Sequence, residues 1–164
     1  MSDPRSLASE LYAFSYLGLP IEDMIVSERE LIDNYGTQGM NVPEAIFTVD
    51  NQRITVEVKR IPGNNLPDDG SPRRSLRRRN RIIWPWTSTV ERALKKTSPL
   101  LSFDYDIVCH HVVFVIPDTL ARKKKMRLHN HVNTAVDQYK NDDCVHPNIR
   151  VHIIDGPLVL FDRL

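Results

Sequence analysis

The run Ile107–Ile116 constrains this chain more than any other stretch. It is almost continuously apolar and β-branched, interrupted by Cys109, His110 and His111. A short run of this kind suits a strand buried on both faces, and such strands occupy the centre of sheets that carry helices on each side. The flanking sequence supplies the covering elements. From Asp3-Pro4 to Tyr16, the residues Leu7, Leu11 and Phe14 fall at helical spacing, and Gly18 and Pro20 end the segment. Ser88-Thr89-Val90-Glu91 has the form of a capping box and opens a helix with Val90, Ala93, Leu94 and Thr97 on one face. Pro117-Asp118 is expected to start a further helix, in which Ala121, Leu128, Val132, Ala135 and Tyr139 recur on one side. A last strand follows at Ile149–Ile154. The order implies an α/β domain with a mixed sheet between helices.

Two further strands are legible. Ala45–Val49 and Arg53–Ile61 are β-rich runs joined by Asp50-Asn51, a pair that tolerates the positive φ angles of a two-residue hairpin turn. Residues 21–35 read two ways. Ser27-Glu28-Arg29-Glu30 has the form of a capping box, whereas Met24-Ile25-Val26 and Leu31-Ile32 allow an extended strand, the reading favoured for part of 24–32. With 164 residues the chain suits one domain spanning 1–164, carrying a Pro- and Arg-rich insertion at about 62–86. No apolar run approaches the ~20 residues of a membrane span, so no membrane partner is expected. Two cysteines, Cys109 and Cys144, cannot make a disulfide framework, which points to an intracellular protein. The arginine run adds a nuclear address if the source is eukaryotic.

The net charge of +1 conceals a division. Residues 1–58 carry ten acidic and three basic side chains, residues 59–96 carry eleven basic and three acidic, and the remainder balances. An acidic third followed by a basic middle suits a protein that holds a cation in one place and a polyanion in another. If residues 73–96 contact nucleic acid, affinity should fall steeply with salt.

The hairpin turns this division into chemistry. With Asp50-Asn51 as the loop, Val49 pairs with Gln52 and Glu44 faces Glu57 across the strands. Like charges in that position, with Cβ atoms roughly 5 Å apart, repel unless a cation lies between them or one is protonated. Lys59 projects from the same face as Glu57. Two carboxylates beside an amine suit Mg²⁺, a hard ion that takes oxygen ligands and retains open positions for phosphate. The chemistry suggested is phosphodiester hydrolysis.

Pro43-Glu44, then Glu57-Val58-Lys59 on a strand thirteen residues later, resembles the PD-(D/E)XK nuclease superfamily. The resemblance covers roughly residues 5–116. It implies a restriction-endonuclease-like fold, with an αβββαβ core to which a C-terminal helix and strand are added. It also implies a metal-dependent endo- or exonuclease using Mg²⁺ or Mn²⁺, with Glu44 and Glu57 as ligands and Lys59 as a catalytic residue. Glu10 would complete the metal site if residues 5–17 form the family's first helix; Glu28 or Glu30 would do so if the later segment does. The aspartate of the family's PD element is here a glutamate. Nucleic acid is the implied partner, DNA before RNA, and a homodimer is compatible with the pattern.

Phosphate contacts are assigned to Arg73, Arg74, Arg77, Arg78, Arg79 and Arg81, and on the following helix to Arg92 and Lys95. Trp84 and Trp86 suit core or lid positions, with stacking on a base as the alternative. Arg122–Lys125 reads as a solvated helix face. Cys109 and His111 should share one face of their strand with His110 on the other, and His129 and His131 diverge on a helix, so none of these forms a zinc set. No Gly-rich phosphate loop or Gly-x-Ser-x-Gly elbow is present. The alternative function is the same fold without catalysis, binding nucleic acid or a protein. Proximity of a helix glutamate to Glu44 and Glu57 discriminates between the two.

Overall fold

The computed structural model describes residues 4–36, 42–62, 73–74, 82–83 and 87–161. The elements are α1 (Pro4–Tyr16), β1 (Met24–Ser27), α2 (Glu28–Tyr35), β2 (Ala45–Val49), β3 (Gln52–Arg60), β4 (Arg73–Arg74), β5 (Ile82–Ile83), α3 (Thr87–Leu94), α4 (Pro99–Tyr105), β6 (Ile107–Pro117), α5 (Arg122–Tyr139) and β7 (Ile149–Gly156). Five strands form one mixed sheet in the order β1-β2-β3-β6-β7, and β4 and β5 form a separate two-stranded ribbon. The β1/β2 and β2/β3 pairs are antiparallel; β3/β6 and β6/β7 are parallel. The architecture is α/β, an open sheet flanked by helices.

Each face of the sheet has its own core, as the apolar run of β6 requires. Val113 and Val115 point to one side, where Ala13 and Phe14 of α1 pack with Phe47, Val56 and Val58. Val112, Phe114 and Ile116 point to the other, against Val90 and Leu94 of α3 and Leu128 and Val132 of α5. A third cluster gathers Leu31 and Tyr35 of α2 and Leu101 of α4 around Ile46. Alternation along one strand therefore decides which helices a residue meets.

The hairpin has the expected register, from Val49 opposite Gln52 to Ala45 opposite Val56. Asp50 and Asn51 both take positive φ, 49° and 64°, as a type I′ turn demands. Residues 24–35 satisfy both readings of the sequence in succession. β1 ends at Ser27, whose hydroxyl accepts from the Glu30 N–H while the Glu30 carboxylate accepts from the Ser27 N–H, a complete capping box for α2.

Three expectations need correction. The helix after β6 begins at Arg122 rather than at Pro117-Asp118, because β6 and β7 stay paired to Pro117–Gly156 and the Asp118 N–H donates to the Gly156 carbonyl. Thr97 lies beyond the end of α3 rather than on its face. Finally, α4 has no counterpart in the sequence reading. Ser98 caps it through the Leu101 N–H, Pro99 fills its first position and Asp106 closes it at φ 53°.

Candidate functional site

Four glutamates from four elements meet where β3 nears its end. Glu10 stands one turn before Phe14 on α1, and so lies on the stripe that packs against the sheet. Glu28 is the first residue of α2, brought there by the capping box just before it. Glu44 immediately precedes β2 and continues its pairing, since its N–H donates to the Val56 carbonyl at 2.9 Å. Glu57 lies on β3 and is 1% exposed.

One carboxylate oxygen each from Glu10, Glu28 and Glu44 lies within 4.8 Å of the other two. Among the described residues no other three Asp, Glu, His or Cys side chains converge this closely. Glu57 stands behind this triad. Its Oε1 accepts from the Val58 N–H at 3.2 Å, and its Oε2 lies 3.8 Å from Lys96 Nζ, an ion pair too long for a hydrogen bond. The sequence paired Glu44 with Glu57 as ligands and treated Glu10 and Glu28 as alternatives. The structure brings both helix glutamates to Glu44 and sets Glu57 one step deeper.

The electrostatics of this cluster are unbalanced. Glu44 Oε2 and Glu57 Oε2 are buried and have no hydrogen-bond partner. Ionised carboxylates only accept, so with all of them charged the contacts among them would have no donor. Burial, followed by Glu28, Glu10 and Glu57, pushes the Glu44 carboxyl well above the usual range. Glu57 is also raised, by burial first, with Lys96, Glu44 and Lys59 working in the opposite direction. A divalent cation bound by oxygen ligands would remove the imbalance, and the donor set, all carboxylate, suits a hard ion.

Lysines border the carboxylates. Lys59 lines two clefts, each of about 370 Å³, that meet at Glu44. One cleft opens toward Glu28 and Lys96; the other runs along α1 to Arg5, Ser6 and Arg60. Lys96 faces Glu57 rather than solvent. Its position follows from α3 ending at Leu94, which turns the next residues toward the sheet.

The expected phosphate clamps divide. Lys95 is directed to Glu91 at 2.9 Å and Asp142 at 3.4 Å, and lies over the Tyr139 ring, rather than to the carboxylate cluster. The Nε–H of Arg92 donates back to the Ser88 carbonyl at 3.4 Å. Arg73 and Arg74 contribute the backbone of β4; their side chains, together with Arg77, Arg78, Arg79, Arg81, Trp84 and Trp86, lie outside the described residues.

Cys109 and His110 take opposite faces of β6, as alternation requires. Cys109 joins the α1 core, while the His110 imidazole is fully buried toward α3. Its Nε2–H donates to the Ala93 carbonyl at 3.0 Å, which leaves Nδ1 as an acceptor 2.7 Å from the Thr55 hydroxyl and 3.0 Å from that of Thr97. Burial lowers the His110 pKa to about 4, so the ring is neutral. His111 stacks on His152 with 3.1 Å between Nδ1 and Nε2, an arrangement that needs at least one neutral ring.

No helix among the described residues is long and apolar enough to cross a membrane. Comparisons with protein-family models, with curated proteins and with solved structures find no match to this chain.

Proposed function

We propose that the protein is a metal-dependent nuclease of the PD-(D/E)XK type, hydrolysing phosphodiester bonds, with DNA favoured over RNA as substrate. The observation that carries this reading is the all-carboxylate group of Glu10, Glu28, Glu44 and Glu57, with two orphaned buried oxygens, beside Lys59 at the end of a hairpin. A stabilising surface cluster would contain as many donors as acceptors. The order α1, β1, β2, β3, α3, β6, with α2 inserted after β1, β4 and β5 after β3, and α4 before β6, supports a restriction-endonuclease-like αβββαβ core, to which α5 and β7 add the C-terminal pair.

Glu10, Glu28 and Glu44, with Glu57 behind them, would hold Mg²⁺ or Mn²⁺. Such an ion supplies polarisation of the scissile phosphate and a lowered pKa for a bound water. The chain's own contribution is positional. Lys59, at the junction of the two clefts, orients the attacking water and offsets negative charge developing on phosphorus. Lys96 opposes, from the other side, the burial that raises the Glu57 carboxyl.

The test is cleavage of DNA and RNA oligonucleotides by wild type and Lys59→Ala, with Mn²⁺ and with chelator. Wild type should cut only with the metal, and the substitution should slow cutting by about 10²-fold or more. Equal rates in the two proteins would overturn the role of Lys59. Metal-independent binding with no cutting would favour the non-catalytic module.

A further inference from the structure

The two clefts that meet at Glu44 and Lys59 differ in charge, and the difference assigns a second task to the site. The cleft toward α2 has Glu28 on one side and Lys96, already paired with Glu57, on the other. The cleft along α1 has Arg5, Ser6, Ser9 and Arg60 beyond the carboxylates. Residues adjacent on a strand project to opposite sides, so Lys59 and Arg60 reach the α1 cleft from different directions. Lys59 borders both clefts; Arg60 lines the α1 cleft.

Arg60 is also held in place. Its Nη1–H donates to the Leu160 carbonyl at 2.9 Å and its Nη2–H to Ser6 Oγ at 3.1 Å. Because Ser6 accepts from Arg60, its own hydroxyl proton is directed elsewhere. Ser6, Glu10 and Phe14 follow one another at four-residue steps on α1, so one stripe changes from polar at its start, through a carboxylate, to apolar where it enters the core. Guanidinium groups beside a hydroxyl suit the tetrahedral oxygens of a phosphate group.

Building on the nuclease reading, we propose that the cleft formed by Arg5, Ser6 and Arg60 is a subsite for the substrate phosphate that adjoins the scissile one. It fixes the strand on one side of the carboxylate cluster, and so sets where along the chain the cut falls. The arginine run at 73–81 is not needed for this contact.

The experiment compares wild type and Arg60→Gln with Mn²⁺ on oligonucleotides in which single linkages flanking the cut carry a neutral methylphosphonate. A parallel set differs in a terminal phosphate or hydroxyl, which separates an internal linkage from a chain end as the source of the phosphate. In wild type, neutralising or removing one adjoining phosphate should lower kcat/KM by roughly ten- to a hundredfold. Arg60→Gln should show a loss of that order on the natural substrate and no further penalty from the modification. Arg5→Gln should behave alike if Arg60→Gln does not fold. If wild type and variant lose the same factor, or neither is sensitive at any flanking position, the subsite is overturned while the nuclease stands. If wild type cuts nothing with the metal, the nuclease reading itself falls and takes the subsite with it.

Discussion

Thr55 and Glu57 are two residues apart on β3, project from the same face, and are both almost inaccessible, yet their surroundings are opposite in kind. Thr55 belongs to a closed set. Its hydroxyl, the Thr97 hydroxyl, His110 and the Ala93 carbonyl provide donors and acceptors in matching positions, at 2.7–3.0 Å. Glu57 and Glu44 belong to an open set of acceptors with orphaned oxygens. Burial of polar groups is tolerated in the first case because nothing is left unsatisfied. In the second it is tolerated at a cost, which is the signature of groups kept for something other than stability.

Breaking the closed set should have the largest effect. His110→Ala removes the acceptor shared by two threonine hydroxyls and the donor to the Ala93 carbonyl, and opens a void, costing about 3 kcal/mol. For a chain of this size that is a fall of roughly 6–12 °C in Tm, read by thermal melting. A fall under about 2 °C would mean that the two sets are less different than their geometry. Next in size is the response of the open set to metal. Mn²⁺ at about a hundredfold over its Kd should stabilise wild type by about 2.7 kcal/mol. His110→Ala should keep this increment, and Glu44→Ala should lose it.

Without metal, Glu44→Gln should raise stability at pH 7.5 by about 1–2 kcal/mol, since a neutral amide avoids the cost of burying a carboxylate among others. The pH dependence has a definite sign. The Glu44 pKa is raised on folding, so its contribution falls as pH rises above the ordinary carboxylate value toward the folded one. The His110 pKa is lowered to about 4, so its contribution is present above about 6.5 and is lost as pH falls toward 4. Denaturant unfolding from pH 4 to 9 should show both limbs in wild type, and Glu44→Gln should flatten the alkaline limb alone. The smallest effect is expected at Lys95, whose exposed ion pairs belong to neither set. Lys95→Ala should leave Tm within about 1 °C, and a larger change would extend the comparison to α3 and α5.

Much of this arrangement was visible in the residues. The hairpin and β6 were readable because period-two alternation and an Asp-Asn turn leave few alternatives, and the register then put Glu44 against Glu57. Ser27 to Glu30 was readable as a cap, but the consequence was not: with Glu30 engaged at the cap, Glu28 is left to face the site. Helix α4 is seven residues long with Leu101 as its buried anchor, too short for periodicity to show. Lys96 and Arg60 were hidden for a different reason. Their roles depend on where a helix stops and on a carbonyl one hundred residues away, and local pattern carries neither. The Thr55–Thr97–His110 set is wholly tertiary, joining β3, β6 and the segment after α3.

The turn at Asp50-Asn51 acts as a gauge for the placement of the carboxylates at the opposite end of the hairpin. Glu57 is six residues from Asn51, about 20 Å along an extended chain. Every residue between them is metered by the two left-handed conformations at the tip. A slip of one position would trade Glu57 for Val58 on the inner face and direct Lys59 toward Phe14, reversing the polarity of both surfaces at once. Variation at the hairpin tip is thus filtered by a requirement it never touches, and calibration of the site resides in its most exposed loop.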